Sequence, residues 1–164
     1  MDSHNLFMTR TTYRAVRLEY AVAMLTAIAL VLLHFNQVRW WVFILMFVHI
    51  DLIGYIPGAI AWRKAKGGAI PRRYYVQYNT MHSFLTAGVV AAVWSLAFRP
   101  EWALLALAIH LCGDRALFGN FYKPLGLSFE PVIHPAYEEF VDRYEHPAPP
   151  QHCVHPAELV ERAA

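Results

Sequence analysis

Four stretches of this chain are so long and apolar that water is the wrong solvent for them. A helix crossing about 30 Å of hydrocarbon needs about 20 residues. LEYAVAMLTAIALVLLHF (18–35), WWVFILMFVHIDLIGYIPGAIAW (40–62), the segment 76–98 containing HSFLTAGVVAAVWSLAF, and EWALLALAIHLCGDRALFG (101–119) each meet that length. These runs predict an all-α, polytopic membrane bundle of four transmembrane helices. The bulk numbers agree: 57% of residues are hydrophobic and 16% charged, with a mean hydropathy of +0.31. Soluble domains carry about 45–50% and about 25% respectively. A formal charge of +2 is too small to suggest nucleic acid. The first apolar run is too long for a signal peptide and lacks a small-residue cleavage site.

Charge placement orients the spans. The connections NQVR and RPE are short, so spans 1–2 and 3–4 should form antiparallel hairpins. The loop RKAKGGAIPRR carries five basic residues, and Arg10, Arg14 and Arg17 precede span 1, whereas the short turns hold only Arg39 and Arg99. The positive-inside rule then places both termini and the basic loop in the cytoplasm. Trp40, Trp41 and Trp102 would mark the outer interface, and Trp62, Tyr74 and Tyr75 the inner one. Residues 1–17 form a cytoplasmic lead, 18–124 the bundle, and 125–164 a Pro-rich acidic tail. That tail should hold an amphipathic helix around AYEEFVDRY and be partly disordered beyond it. It carries His134, His146, His152 and His155, but no metal-ligand spacing. Cys112 and Cys153 lack CxxC partners, so no disulfide or zinc knuckle follows.

Each ionisable group at membrane depth costs about 2.5–3.5 kcal/mol at a helix centre and therefore wants a partner or a task. Counting about 1.5 Å per residue, one layer receives Glu19 from span 1, Asp51 and Tyr55 from span 2, Asn79 and His82 from span 3, and His110 and Asp114 from span 4. His110 and Asp114 share a face at i, i+4. Arg115 is expected to pair with Glu19 or Asp51, or to snorkel to the headgroups. Lys123 should meet the inner leaflet. Pro57 with Gly54 and Gly58 should kink span 2 and open room beside Tyr55, and Gly119 is a helix C-cap candidate.

The motifs RLE (17–19), Asp51 with Gly54 and Tyr55 after a WW pair, Tyr78–Asn79 with His82, and His110 with Gly113–Asp114–Arg115 recur in order on successive spans. In this they resemble a group of small bacterial four-helix membrane proteins of unknown function. The likeness covers about residues 16–127. It implies a shared polar core in a bacterial inner membrane, and no known reaction. The longer basic loop and the acidic tail depart from it.

Three uses of such a core follow. One is a membrane-embedded acid–base enzyme for isomerisation, cyclisation or hydration of an apolar small molecule. Asp114, His110, His82, Asp51 and Glu19 would be its catalytic groups, with Asn79, Tyr55, Tyr78 and Arg115 orienting the substrate. A second uses Glu19, Asp51, His82, His110 and Asp114 as ligands for a divalent metal, without the Glu-x-x-His pairs of helix-bundle di-iron sites. The third is a non-enzymatic subunit: either a b-type haem between His49 and His110, or a homo-oligomer or membrane-complex partner packed through Ala87, Gly88, Ala91 and Ala92. The structural rival to all three is simple charge pairing, Arg17 with Glu19 and Arg115 with Asp114.

Overall fold

The computed structural model describes residues 9–145, and the regular structure among them is entirely helical. Helix α1 (Arg10–Leu33) starts where the Thr9 hydroxyl accepts a hydrogen bond from the Thr12 amide at 3.2 Å. Its far end is closed by the His34 ring, which bonds the Leu30 carbonyl and stacks on Trp102 at 3.7 Å. Helices α2 (Trp40–Gly54) and α3 (Ile56–Lys64) form a near-continuous run of 25 residues. The break at Tyr55 comes from Pro57, which has no N–H for the carbonyl one turn back.

Helices α4 (Arg72–Met81) and α5 (Phe84–Ala97) meet at a bend of 57°. Its cause is local: the Ser83 hydroxyl caps the Leu85 amide at 3.1 Å, so a new helix begins in the middle of an apolar run. The last apolar segment opens with a 3₁₀ turn, forms α6 (Leu105–Gly113), then widens into a π-helical turn over Asp114–Phe118. Gly119 ends it in the left-handed region at φ 70°. Two helices are long and apolar enough to cross a membrane, or three if the bent pair counts as one span. The α-helical part of the fourth segment is only nine residues long.

Helix α6 packs chiefly on α1 and also on α2, while α4 packs on α2. Buried Val42, Met46, Ile50 and Gly54 recur every four residues along α2, and the first three share one core cluster with Leu107 and Leu111 of α6. Most of the remaining apolar surface, including Leu25, Leu33, Ile44, Leu52 and Leu96, points outward. That inversion is what hydrocarbon surroundings call for.

At the end carrying the basic loop, residues 120–132 fold back as a strap, and the compact unit runs through Val132. Residues 125–132, read from sequence as the start of the tail, pack into it. Phe129 is fully buried against Ala59, Tyr75 and Tyr78. A Cβ on Gly58 would fall 2.2 Å from the Phe129 ring, so only glycine admits it. The room expected beside the kink is therefore filled by an aromatic ring. Tyr75, expected at the interface, is buried and donates to the Leu127 carbonyl at 2.6 Å. Helix α7 (Pro135–Glu145) begins where the His134 ring accepts from the Ala136 amide, and carries an Arg143–Glu139 pair. His146, His152, Cys153 and His155 lie outside the described residues.

The opposite end is clamped by one carboxylate. Arg39 donates from Nε to Glu101 Oε2 at 2.6 Å and from Nη2 to Oε1, which also accepts the Trp94 indole N–H. The Glu101 side chain is 6% exposed, and this clamp ties the two short turns together. Arg39's hydrogen bonds, helped by Trp94, hold the Glu101 carboxyl below its ordinary value of 4.5 against the opposing effect of burial. A depressed carboxylate stabilises the fold fully above its unfolded value and loses that contribution as pH falls through the folded one. Thermal unfolding in mild detergent should therefore drop as pH falls below about 4.5. Arg39→Gln should lower the melting temperature at neutral pH and flatten that acid limb.

Candidate functional site

Four side chains from four separate elements meet inside the bundle. Asp51 comes from the last turn of α2, His82 from the α4–α5 break, His110 from α6 and Asp114 from the start of the π turn. His82 Nε2 lies 3.2 Å from Asp51 Oδ1 and 3.3 Å from Asp114 Oδ2. His110 Nε2 lies 3.6 Å from each of the same two oxygens. Both histidines are buried, while Asp51 and Asp114 are partly exposed.

Local geometry explains the convergence. A Cβ on Gly54 would come within 2.8 Å of Met81 Cβ and 3.2 Å of the His82 ring, so the glycine lets the α4–α5 break approach α2. The break frees His82 from a continuing helix. Its N–H and its Nδ1 both reach the Tyr78 carbonyl, the latter at 3.0 Å. The Nδ1 proton is thereby assigned, and Nε2 faces two carboxylates. Both ring nitrogens of His110, and Asp114 Oδ2, are buried and have no hydrogen-bond partner among the described residues. The Phe47 ring packs on His110 edge-to-face at 4.7 Å.

Such an arrangement repels itself unless something positive sits within it, because each buried unsatisfied polar atom costs about 1–3 kcal/mol. A proton on an imidazole is one answer; a metal cation is the other. Metal bonds to histidine and carboxylate of about 2.1 Å imply a tetrahedral edge of about 3.4 Å. The four N–O separations, 3.2 to 3.6 Å, bracket that edge. One ligand atom each from Asp51, His82 and His110 also lies within 4.8 Å of the others. A His–carboxylate set without thiolate suits zinc, iron or manganese.

Other residues singled out from the sequence fall elsewhere. Glu19 is exposed on α1 and outside the cluster; its neighbour Tyr20, about 100° further round the helix, is the one that faces inward. Arg17 does not pair with Glu19 but donates to the Ala116 and Leu117 carbonyls at 2.9 and 2.8 Å, capping the π turn. Arg115 pairs with neither Glu19 nor Asp51 and does not snorkel. It is 4% exposed, lies 4.4 Å from the Phe84 ring centre and 4.9 Å from that of Tyr20, and donates to the His82 carbonyl and the Tyr20 hydroxyl at 3.3 Å. The π turn carries its side chain inward.

Asn79 bonds both backbone groups of Lys123, at 2.7 and 2.9 Å, and so fastens the strap rather than facing the cluster. Lys123 does not reach a headgroup: it is buried, donates to the Phe129 carbonyl and sits over the Tyr78 and Phe129 rings. Tyr78 stacks flat on His82 at 3.8 Å, and Tyr55 stacks on Phe129. The His49–His110 pair needed for haem does not form. Phe47 and Asp51, one turn apart on α2, both touch His110, and His49 between them points to the other side and bonds the Leu45 carbonyl. Phe47 could have been found from its i, i+4 relation to Asp51; the lysine cage could not.

Compared with known proteins, the chain matches no family model, no curated protein and no solved structure.

The close approach at Gly54 is directly testable. Gly54→Ala should destabilise the protein by about 1–3 kcal/mol through overpacking, measured by unfolding in detergent. Gly88→Ala meets nothing within 4 Å and should be neutral or gain up to about 1 kcal/mol of helix propensity.

Proposed function

We propose that this chain is a four-span enzyme of the bacterial inner membrane. In this reading both termini lie in the cytoplasm, and Asp51, His82, His110 and Asp114 bind one divalent transition-metal ion. The observation that carries the reading is that the Nε2 atoms of His82 and His110 both lie 3.2 to 3.6 Å from the same two carboxylate oxygens, with His110 Nε2 and Asp114 Oδ2 left unsatisfied. The basic loop and the tryptophans of the short turns support the orientation. The bent α4–α5 pair and the segment 102–118 would supply the third and fourth crossings.

A metal held by two histidines and two carboxylates can polarise a carbonyl, or lower the pKa of a bound water to about 7. Either serves hydration, elimination or isomerisation of a hydrophobic small molecule. Asp51 is the most open of the four groups, at 43% side-chain exposure, and so marks the side on which a substrate could meet the ion. The His82 imidazole is oriented by the Tyr78 carbonyl and the stacked Tyr78 ring, the outer support that metal-bound histidines require.

A second reading has its own observation. The His82 Nε2–Asp51 Oδ1 contact at 3.2 Å is a hydrogen bond whenever the ring is protonated. The same constellation would then be a metal-free acid–base site, with the proton taking the place of the cation.

Elemental analysis separates the two. Protein purified untagged in mild detergent should carry about one zinc, iron or manganese per chain, since binding couples to a preformed ligand set. His82→Ala and Asp114→Ala should lose it while eluting as a single species. A metal-free wild-type protein that still depends on His82 for proton transfer would replace the metal reading with the acid–base one.

A further inference from the structure

Resting on the metal reading, we infer that the site is served sideways from the hydrocarbon, and that its substrate is a neutral, bilayer-dissolved molecule carrying a hydroxyl or carbonyl oxygen. The argument begins with an asymmetry within the four ligands. The side chains of His82 and His110 are 3% and 4% exposed and that of Asp114 20%, against 43% for Asp51. The site has one open side, and Asp51 marks it.

Neither end of the bundle offers a route. Toward the basic loop, Tyr78 covers the His82 ring, Lys123 covers Tyr78, and Phe129 fills the notch at Gly58. Asn79 and Tyr75 fasten that strap by hydrogen bonds to its backbone. Toward the short turns lies a cavity of about 990 Å³ lined by Gln37, Arg39, Arg99 and Glu101, with Leu104 and Leu105 on its inner side. Buried Met46, Ala106 and Leu107 belong to the packed core beside the next turns of α6 and α2.

The open side is apolar at its rim. Phe47 and Val48, one turn before Asp51 on the same face of α2, are exposed, as is the adjacent Leu52. Asp51 lies 11 residues from Trp40, about 17 Å along the axis at about 1.5 Å per residue. That is near the middle of a hydrocarbon core of about 30 Å. Packed core below the short-turn cavity and the strap at the other end stand between water and this depth, and a charged headgroup would cost about 2.5–3.5 kcal/mol to bring there. What remains is a neutral lipid-like molecule. Among neutral groups, a hydroxyl or carbonyl oxygen is what an ion so held can polarise, and this gives its reacting group.

The test uses two photoreactive alcohols with a diazirine beside the hydroxyl, one on a hexadecyl chain and one on a butyl chain. Each is irradiated with the protein in lipid nanodiscs, and metal content is measured on the same sample. The hexadecyl probe should label the 47–55 stretch of α2 above the level of the more exposed Val89–Val93 stretch of α5. The butyl probe should not. Val48→Trp, which blocks the rim without replacing a ligand, should retain metal and cut that labelling about tenfold, equivalent to about 1.4 kcal/mol. Equal labelling by the butyl probe, or metal-loaded protein with no enhancement at 47–55, would overturn the lateral route and leave the metal centre standing. Enhanced labelling that depends on Asp51 in a protein without metal would keep the route and sink the metal centre.

Discussion

Each of two imidazole nitrogens stands within 3.6 Å of the same two carboxylate oxygens across the bundle, and this grouping holds together only if a positive charge joins it. In water such a cluster would relax outward and hydrate. Between apolar helices it cannot, because unsatisfied groups there keep their full desolvation cost. Much of the irregular backbone in this fold serves that one requirement. Gly54 lets α4 close on α2, the Ser83 cap breaks the helix where His82 must turn, and the π turn begins at Asp114. Helical irregularities of this kind concentrate where side chains must be aimed rather than merely packed.

The cations near the cluster are kept out of it by distinct devices. Arg115 lies against the Phe84 and Tyr20 rings and is bonded to the His82 carbonyl, so it steadies the break without neutralising an aspartate. Lys123 is caged by Tyr78 and Phe129 one layer further away. Arg17 caps the end of the π turn, and Arg39 is consumed by Glu101 at the far end. Cation–π contacts let buried cations be accommodated without a carboxylate partner. That separation leaves Asp51 and Asp114 available to something other than an arginine.

Alignment of charge with depth made part of the site legible early. Counting along each apolar run puts Asp51, His82, His110 and Asp114 in one layer, and the i, i+4 spacing puts His110 and Asp114 on one face. The same counting put Glu19 there too, because depth says nothing about rotation around a helix axis. A shift of one residue turns a side chain by about 100°, and it is Tyr20 that faces inward. His49 fails for the same reason: it shares the layer but occupies the other side of α2. Lys123 and Phe129 were invisible because their burial depends on a strap of irregular backbone, and no periodicity encodes how such a strap folds back.

What the sequence determined alone was the solvent and the parts: apolar runs long enough for hydrocarbon, polar groups interrupting them at shared depth, and Gly, Ser and Pro at the points where helices bend. These follow from hydropathy and local backbone chemistry, which act within a few residues. The tertiary structure decided which of the polar groups meet, which cation is caged by which ring, and which ligand is left open to the outside. Those outcomes depend on helix rotation and on contacts between residues more than thirty positions apart, such as Asp51 with His82 and Arg115 with the His82 carbonyl. Only packing fixes such contacts, since a helix of given composition can present any of its faces inward until its neighbours close around it.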